Sequence, residues 1–274
     1  MTILVTGATG TVGRQIVGQL VAAGHRVRAL TRRPEQAGLP AEVELARGDL
    51  SNPASVEPAL EGVTGLHLIT VDGEGVLQTG EELVALAKRA GVRRVSVLSG
   101  WEESSVERAL NASDLGWTWV RPAEFMANAT EWAEEIRAEG RVRLFGNAPS
   151  AVVHEADIAA VAVAALTQDG HAGQTYLLTG PESLTATERI ECLASAIGKP
   201  IEVVHLTEAQ YREQLASFGF DEGYIDFAVQ LGASPPEAGQ RPLPTVAEVA
   251  GRPALTFAEW AAANAELFQT QENR

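Results

Sequence analysis

Apolar residues fall along this chain in short runs and stripes that alternate in period. Thr2-Ile3-Leu4-Val5-Thr6 is β-branched and apolar, the pattern of a strand buried on both faces. From Thr11 to Ala23 the period changes. Val12, Ile16, Val17 and Leu20 share one helical face, and Gly24 follows as its stop. His25 to Thr31 reads as a second strand and Val43 to Ala46 as a third. Asn52-Pro53 supplies an N-cap and a first-turn proline for a helix to about Leu60. Further strands are expected over 65–71, 94–99 and 117–120, with helices over 81–90 and 106–112 between them. Such alternation predicts an α/β fold, a doubly wound parallel sheet.

After Arg121-Pro122 the rhythm loosens. A helix is expected over 125–138, a strand over 141–145 and a strongly apolar helix over 155–167. A strand over 175–179 comes next, and Thr185-Ala186-Thr187-Glu188 fits a capping box opening a helix to Ile197. A strand over 201–205, two helical patterns broken near Gly219, a proline-rich loop over 234–244 and a helix over 257–268 complete the chain. The expected organisation is a dinucleotide-binding core at 1–150 and a lobe at 151–274, some of whose segments return to the core.

The chemistry concentrates at the first turn. Gly7, Gly10 and Gly13 stand between the first strand and the first helix. There the first glycine allows the tight turn, the second lets backbone approach a pyrophosphate, and the third lets helix and sheet pack closely. The helix N-terminus offers unpaired N–H groups to phosphate. The second strand ends in Leu30-Thr31-Arg32-Arg33-Pro34, with no acid before Glu35. An acid there would hold a ribose 2′-hydroxyl, and an arginine accommodates a 2′-phosphate. The reading is therefore a Rossmann fold for NADP(H) rather than NAD(H), with Arg32 on the 2′-phosphate and Arg33 stacked on adenine. Asp49, at the end of the third strand, either reaches the adenine amino group or serves a turn or helix cap.

Charge narrows the partners. The chain has 274 residues and a formal charge of -15, too acidic for a general nucleic-acid binder. Yet residues 1–33 hold Arg14, Arg26, Arg28, Arg32 and Arg33 and no acid, a local basic patch suited to a small polyphosphate. Arg14 and Arg26 are expected to be merely solvated. No stretch approaches the ~20 apolar residues of a membrane span, and the opening run is only strand-length, so a cytoplasmic protein without membrane contact is expected. The single cysteine, Cys192, excludes an intrachain disulfide and reads as a structural thiol beside Ile190 and Leu193. The histidines show no metal spacing, and no metal is expected.

Several segments carry a family resemblance. Thr6-Gly7-Ala8-Thr9-Gly10-Thr11-Val12-Gly13, Gly48-Asp49-Leu50, and Val120-Arg121-Pro122 followed by Phe125-Met126-Ala127-Asn128 resemble the NmrA-like group of atypical short-chain dehydrogenase/reductases. Asp157-Ile158-Ala159, Gly173-Gln174-Thr175-Tyr176 and the stretch from Gly251-Arg252-Pro253 to Trp260 extend the likeness over nearly the whole chain. The resemblance implies that Gly7, Thr9, Gly10, Thr11 and Val12 hold the pyrophosphate and Arg32 the 2′-phosphate. It places Asp49 and Leu50 by adenine, Thr70 and Val71 by the ribose, and Ser99, Gly100 and Pro122 by the nicotinamide. Phe125, Met126 and Asn128 would face the substrate. The group includes quinone and azo-compound reductases, reductases of natural-product pathways, and redox sensors without turnover.

One expected feature of the wider superfamily is missing. Ordinary members pair a tyrosine with a lysine four residues later, the lysine lowering the pKa of the proton donor. Here Tyr176, Tyr211 and Tyr224 are followed at that spacing by Gly180, Leu215 and Ala228, and the two lysines are Lys88 and Lys199. A simple ketone turns into a very basic alkoxide on accepting hydride and needs that donor. A quinone turns into a ring-stabilised phenolate, with a pKa near ~10 like tyrosine's. The expected substrate is a small quinone-like or polyaromatic acceptor, reduced mainly by proximity and orientation.

Trp101 is a candidate to stack on such a substrate, or else packs under the lobe. Weak candidates for the chemistry are Ser99, Asn128 and His154, each with an ordinary structural alternative as a turn, helix-entry or surface residue. Glu102 and Glu103 read as exposed acids at a helix start. Two other functions stay open: an NADP(H)-sensing regulator without turnover, and an epimerase, isomerase or lyase with tightly held cofactor. The assembly expected is a monomer or homodimer.

Overall fold

The computed structural model describes residues 1–72, 75–100 and 103–270. They form two units, each built from three stretches of chain. The first takes 1–122, 155–178 and 245–252, and the second 123–154, 179–244 and 253 onward.

The first unit holds a seven-stranded sheet in the order β3-β2-β1-β4-β5-β6-β7, every neighbouring pair parallel. Its strands are β1 (Thr2–Val5), β2 (Arg26–Thr31), β3 (Glu44–Arg47), β4 (Val63–Ile69), β5 (Arg94–Leu98), β6 (Gly116–Pro122) and β7 (Gln174–Leu178). Ile3, Leu4 and Val5 are wholly buried, as the β-branched run requires of a central strand. Strand order reverses at β1, which lies between β2 and β4. Open α/β sheets bind their ligands at the carboxyl ends of strands at such a point.

Helix α1 (Thr11–Ala22) buries the predicted stripe of Val12, Ile16, Val17 and Leu20. It packs on α5 (Glu155–Thr167), and Gln19 Nε2 donates to the Ala156 carbonyl at 2.8 Å. Helix α5 is apolar on nearly every face because it lies between α1, the sheet and α6 (Thr245–Ala250). The other face carries α2 (Pro53–Val56), α3 (Gly80–Arg89) and α4 (Ser105–Asn111), with Leu66, Leu68, Leu83, Leu110 and Trp119 in one cluster. Trp117 and Trp119, two apart on β6, stack with ring centroids 4.2 Å apart.

The second unit pairs Arg141–Leu144 with Glu202–His205 as a two-stranded parallel sheet. Its core joins Met126, Ile136, Leu193, Phe257, Trp260 and Phe268. The capping box at Thr185 and Glu188 forms as predicted, and the helix Ala186–Ile197 ends at Gly198 in the left-handed conformation. Boxes at Thr207 with Gln210 and at Thr256 with Glu259 open two more helices.

Several expectations change. The chain leaves the first unit at Pro122, not near 150. Proline ends the ladder for want of an N–H, and Phe125 then pairs with Val153 of its own unit. The helix expected over 125–138 opens as a 3-10 turn, Met126–Trp132, before Ala133–Glu139 becomes α-helical. Asn52 makes no side-chain cap; the Ser55 hydroxyl instead binds the Asn52 carbonyl at 2.7 Å. Strand β4 stops at Ile69, and Val71 enters a short antiparallel pairing with Val76. Helix α6 was not foreseen.

Candidate functional site

The site begins where β1 ends. Thr6 is wholly buried; its N–H donates to the His67 carbonyl at 3.0 Å and its Oγ1 accepts from the Ile69 N–H at 3.1 Å. The chain then turns at Gly7, whose φ of +59° suits glycine. The Gly10 N–H closes the turn on the Gly7 carbonyl at 2.9 Å. A Cβ on Gly13 would lie 2.0 Å from the Gly7 carbonyl oxygen, so no side chain fits where helix and turn meet. The first bond of the α1 ladder runs from the Arg14 N–H to the Gly10 carbonyl. The amides of Thr11, Val12 and Gly13 therefore precede it. No acid and no side-chain cap occupy this end of α1, leaving it suited to an anion.

In front of the turn lies a cleft of about 450 Å³. Gly7, Thr9 and Gly10 form one wall. The ends of β2 and β3 form the other through Leu30 to Arg33, Gln36 and Gly48 to Leu50, and Ile69 closes the floor. Among the described residues nothing engages the Arg32 guanidinium by hydrogen bond or ion pair. Arg33 donates to Gln36 Oε1 at 3.4 Å. Glu35, the next acid along the chain, is held by Arg47 at 3.0 Å, and the same guanidinium donates to the Arg32 carbonyl at 2.8 Å. Arg47 thus neutralises the acid that follows the two cleft arginines in the chain.

The turn read for Asp49 is present, and the residue also lines the cleft. Its Oδ1 accepts from the Ser51 N–H at 3.0 Å and the Ser51 hydroxyl at 2.8 Å. The Ser51 backbone and hydroxyl, helped by Arg32, hold its carboxyl below the usual range. Leu50 is buried and its carbonyl accepts from Thr79 Oγ1 at 2.7 Å.

The remaining predicted cofactor residues do not line this cleft. Thr70, Ser99 and Pro122 stand at the carboxyl ends of β4, β5 and β6. Thr70 Oγ1 donates to the Leu98 carbonyl at 3.3 Å, and the Ser99 N–H to the Val120 carbonyl at 2.9 Å. Val71 and Gly100 are exposed. Of the substrate candidates, Trp101 lies outside the described residues, as does Glu102. The other four belong to the second unit. Phe125 is half-buried and Asn128 exposed, whereas Met126 is 1% exposed and fills that unit's core. His154 is half-buried with its charge felt at Glu259, whose carboxyl is lowered first by the Thr256 N–H and hydroxyl.

Four features escaped sequence reasoning. Arg14, expected to be solvated, makes three hydrogen bonds. The Arg121 guanidinium meets the Glu107 carboxylate at 2.9 Å, and Glu107 is 1% exposed. Burial opposes the Glu107 charge, but hydrogen bonds from the Ser104 N–H and from Arg121 keep the carboxyl low. The Ser104-x-x-Glu107 spacing of a capping box was the available signal. Arg252 pairs with the buried Asp157 at 2.6 Å, joining two segments that carried the family likeness. His67 is 1% exposed on β4 and shares a 2.8 Å hydrogen bond with Ser96.

Neither lysine nor tyrosine forms the superfamily's usual pair. Lys88 is 2.7 Å from Asp114, Tyr176 bonds His171 at 2.8 Å, and Tyr211 stacks on Phe145. No helix among the described residues is long and apolar enough to cross a membrane.

Comparison with known proteins agrees with this geometry. The model of a family described as NmrA-like matches residues 1–231. A (4-alkanoyl-5-oxo-2,5-dihydrofuran-3-yl)methyl phosphate reductase of Streptomyces griseus is 39% identical, covering 97% of this chain and 99% of its own. An NAD(P)H azoreductase of Xenophilus azovorans is 36% identical with the same coverage, 97% and 99%. The crystal structure of an NADPH-dependent quinone oxidoreductase of Escherichia coli, complexed with NADPH, superposes with a TM-score of 0.81 at 25% identity, covering 95% of this chain and 99% of that one.

Proposed function

The chain belongs to the NmrA-like family, and from that premise we propose that it is an NADPH-dependent reductase of small conjugated acceptors. The observation that carries the reading is the cleft itself: a glycine turn opening a bare helix N-terminus, facing an Arg32 whose guanidinium makes no hydrogen bond or ion pair among the described residues. Backbone at Gly7, Thr9, Gly10, Thr11 and Val12 takes the pyrophosphate. Arg32 takes the 2′-phosphate, Arg33 stacks on adenine, and Asp49 and Leu50 flank the base. Thr70 and Val71 border the ribose, and Ser99, Gly100 and Pro122 border the nicotinamide. When bound, the cofactor supplies a hydride.

The acceptor class follows from what the chain lacks. Without the Tyr–Lys pair, acceptors are favoured that spread the incoming negative charge over their own π-system. The three relatives named above fit that requirement. A quinone ring and an azo group both delocalise the charge. The dihydrofuranone has a C=C bond flanked by a ketone and a lactone carbonyl, and hydride at the far carbon leaves an enolate shared by both. The acceptor-side candidates are Trp101, Phe125, Asn128 and His154; Met126 is spent on the core of its unit. Of these, Asn128 and His154 have the polar side chains that could orient an acceptor oxygen or return a proton afterwards.

The test is NADPH consumption across alkanoyl-dihydrofuranones, quinones, azo dyes and a saturated ketone. Oxidation with the conjugated acceptors and none with the ketone is expected. NADPH binding without oxidation by any acceptor would assign the protein as a sensor instead. Cofactor retained through purification with no net consumption would assign an isomerase or lyase.

A further inference from the structure

We infer that Arg14 is a positioning residue that ties the phosphate turn to the 2′-phosphate loop, and thereby sets how strongly the cleft prefers NADPH over NADH. The inference rests on the NADP(H) reading of the cleft.

Arg14 stands in the first turn of α1, and its guanidinium joins Thr9, on one wall of the cleft, to Ala37 and Gly38, which follow Gln36 of the other. Nε donates to the Thr9 carbonyl, Nη1 to the Gly38 carbonyl and Nη2 to the Ala37 carbonyl, each at 2.9 Å. One planar fork thus joins two stretches that are far apart in sequence. Three carbonyls converging on one side chain is a demanding arrangement for a residue that solvent can reach.

The consequences run in both directions. At the turn, the Thr9–Gly10 peptide is held at both ends, its carbonyl by Arg14 and its N–H by the Gly7 carbonyl. The amides that follow it, at Thr11 and Val12, keep a fixed aim. At the other wall, the segment carrying Arg32, Arg33 and Gln36 is clamped on both flanks. Arg47 holds its start through the Arg32 carbonyl and Glu35, and Arg14 holds its end through Ala37 and Gly38. Arg32 and Arg33 are adjacent cations that repel one another, so an unclamped loop would let them turn out to water. A 2′-phosphate needs this loop in register with the pyrophosphate turn, and Arg14 is the side chain that touches both. NADH, lacking the 2′-phosphate, depends on the turn alone.

The test is calorimetric titration of the purified chain with NADPH, NADH, 2′,5′-ADP and 5′-ADP, with no acceptor present. Arg14→Ala should weaken NADPH about tenfold, the scale of one charge-assisted hydrogen bond, and NADH clearly less. The ratio of 2′,5′-ADP to 5′-ADP affinity should fall in step. Arg14→Lys should behave as Arg14→Ala does, because an ammonium is a point donor that does not span three carbonyls on two stretches of chain. It also carries the test if the alanine variant does not fold. Arg26→Ala removes the same charge from an exposed site and should change neither ratio. Equal losses for NADPH and NADH, or full rescue by lysine, would overturn the inference. A wild-type chain that fails to bind NADPH would instead sink the reading of the cleft.

Discussion

The cofactor cleft and the second unit differ in how their working parts are supplied. The cleft draws on residues 7 to 69, and much of it is backbone: a left-handed glycine, a bare helix start, the ends of parallel strands. The second unit brings together side chains from three separate stretches around its own core. Backbone chemistry has a local spelling, because glycine spacing and strand runs dictate it. Side-chain chemistry assembled over long separations has none. The difference predicts that comparable injuries in the two places should have different signatures.

The largest effect should come from matched glycines. A Cβ on Gly13 would sit 2.0 Å from the Gly7 carbonyl oxygen, and one on Gly180 would sit 2.0 Å from the Val152 carbonyl oxygen. Both clashes are with backbone, which does not swing aside. Gly13→Ala and Gly180→Ala should each cost about 3 kcal/mol of stability or more. Only Gly13→Ala should also weaken NADPH, by about a hundredfold or more, since its clash displaces the phosphate turn. Thermal melts paired with NADPH titration separate the two. Equal losses of binding would erase the contrast.

Those glycines also mark what was legible. The strand–turn–helix and its three glycines were readable because each requirement is local. So were the capping box at Thr185 and the buried runs of β1, β4 and β5. The pairs Arg121 with Glu107, Arg252 with Asp157, and Arg14 with the Ala37 and Gly38 carbonyls were not, because each partner is an ordinary side chain or backbone carbonyl until the fold brings it near. Met126 looked like a substrate contact beside Phe125 and Asn128. In the 3-10 turn its side chain is instead 1% exposed in the core.

Acid should injure the sheet that carries the cleft next most strongly. Burial lowers the His67 pKa to about 4 from 6.5. The folded state therefore favours neutral imidazole. This stability is full above pH 6.5 and is lost as pH falls toward 4, in all about 3 kcal/mol. His67→Gln should flatten that part of the stability–pH curve. A curve unchanged by the substitution would show that His67 does not drive the loss.

Specificity should follow at smaller cost. Arg32→Ala should weaken NADPH about thirtyfold, or about 2 kcal/mol, and leave NADH nearly unchanged. Arg47→Ala should lower the same ratio by a smaller factor, because it frees Glu35 to repel the phosphate. Titration with both dinucleotides checks the order. A larger effect from Arg47 than from Arg32 would move the principal phosphate contact away from Arg32.

The smallest effect is the most exacting comparison, because the same motif occurs in both units. Ser104 and Glu107 form a capping box at α4, and Thr207 and Gln210 form one at the helix Glu208–Ser217. Around the first, Ser104 is 3% and Glu107 1% exposed, and Glu107 also carries Arg121. The second lies at the surface, and its helix buries only Leu215. Thr207→Ala should cost about 1 kcal/mol, the usual worth of a cap. The loss should appear as faster amide exchange confined to residues 208–217, with NADPH affinity unchanged. Ser104→Ala should cost about 2 kcal/mol, because it leaves the Glu107 N–H without its hydroxyl acceptor at a buried helix start that water does not reach. Equal costs would mean that burial adds nothing to the box.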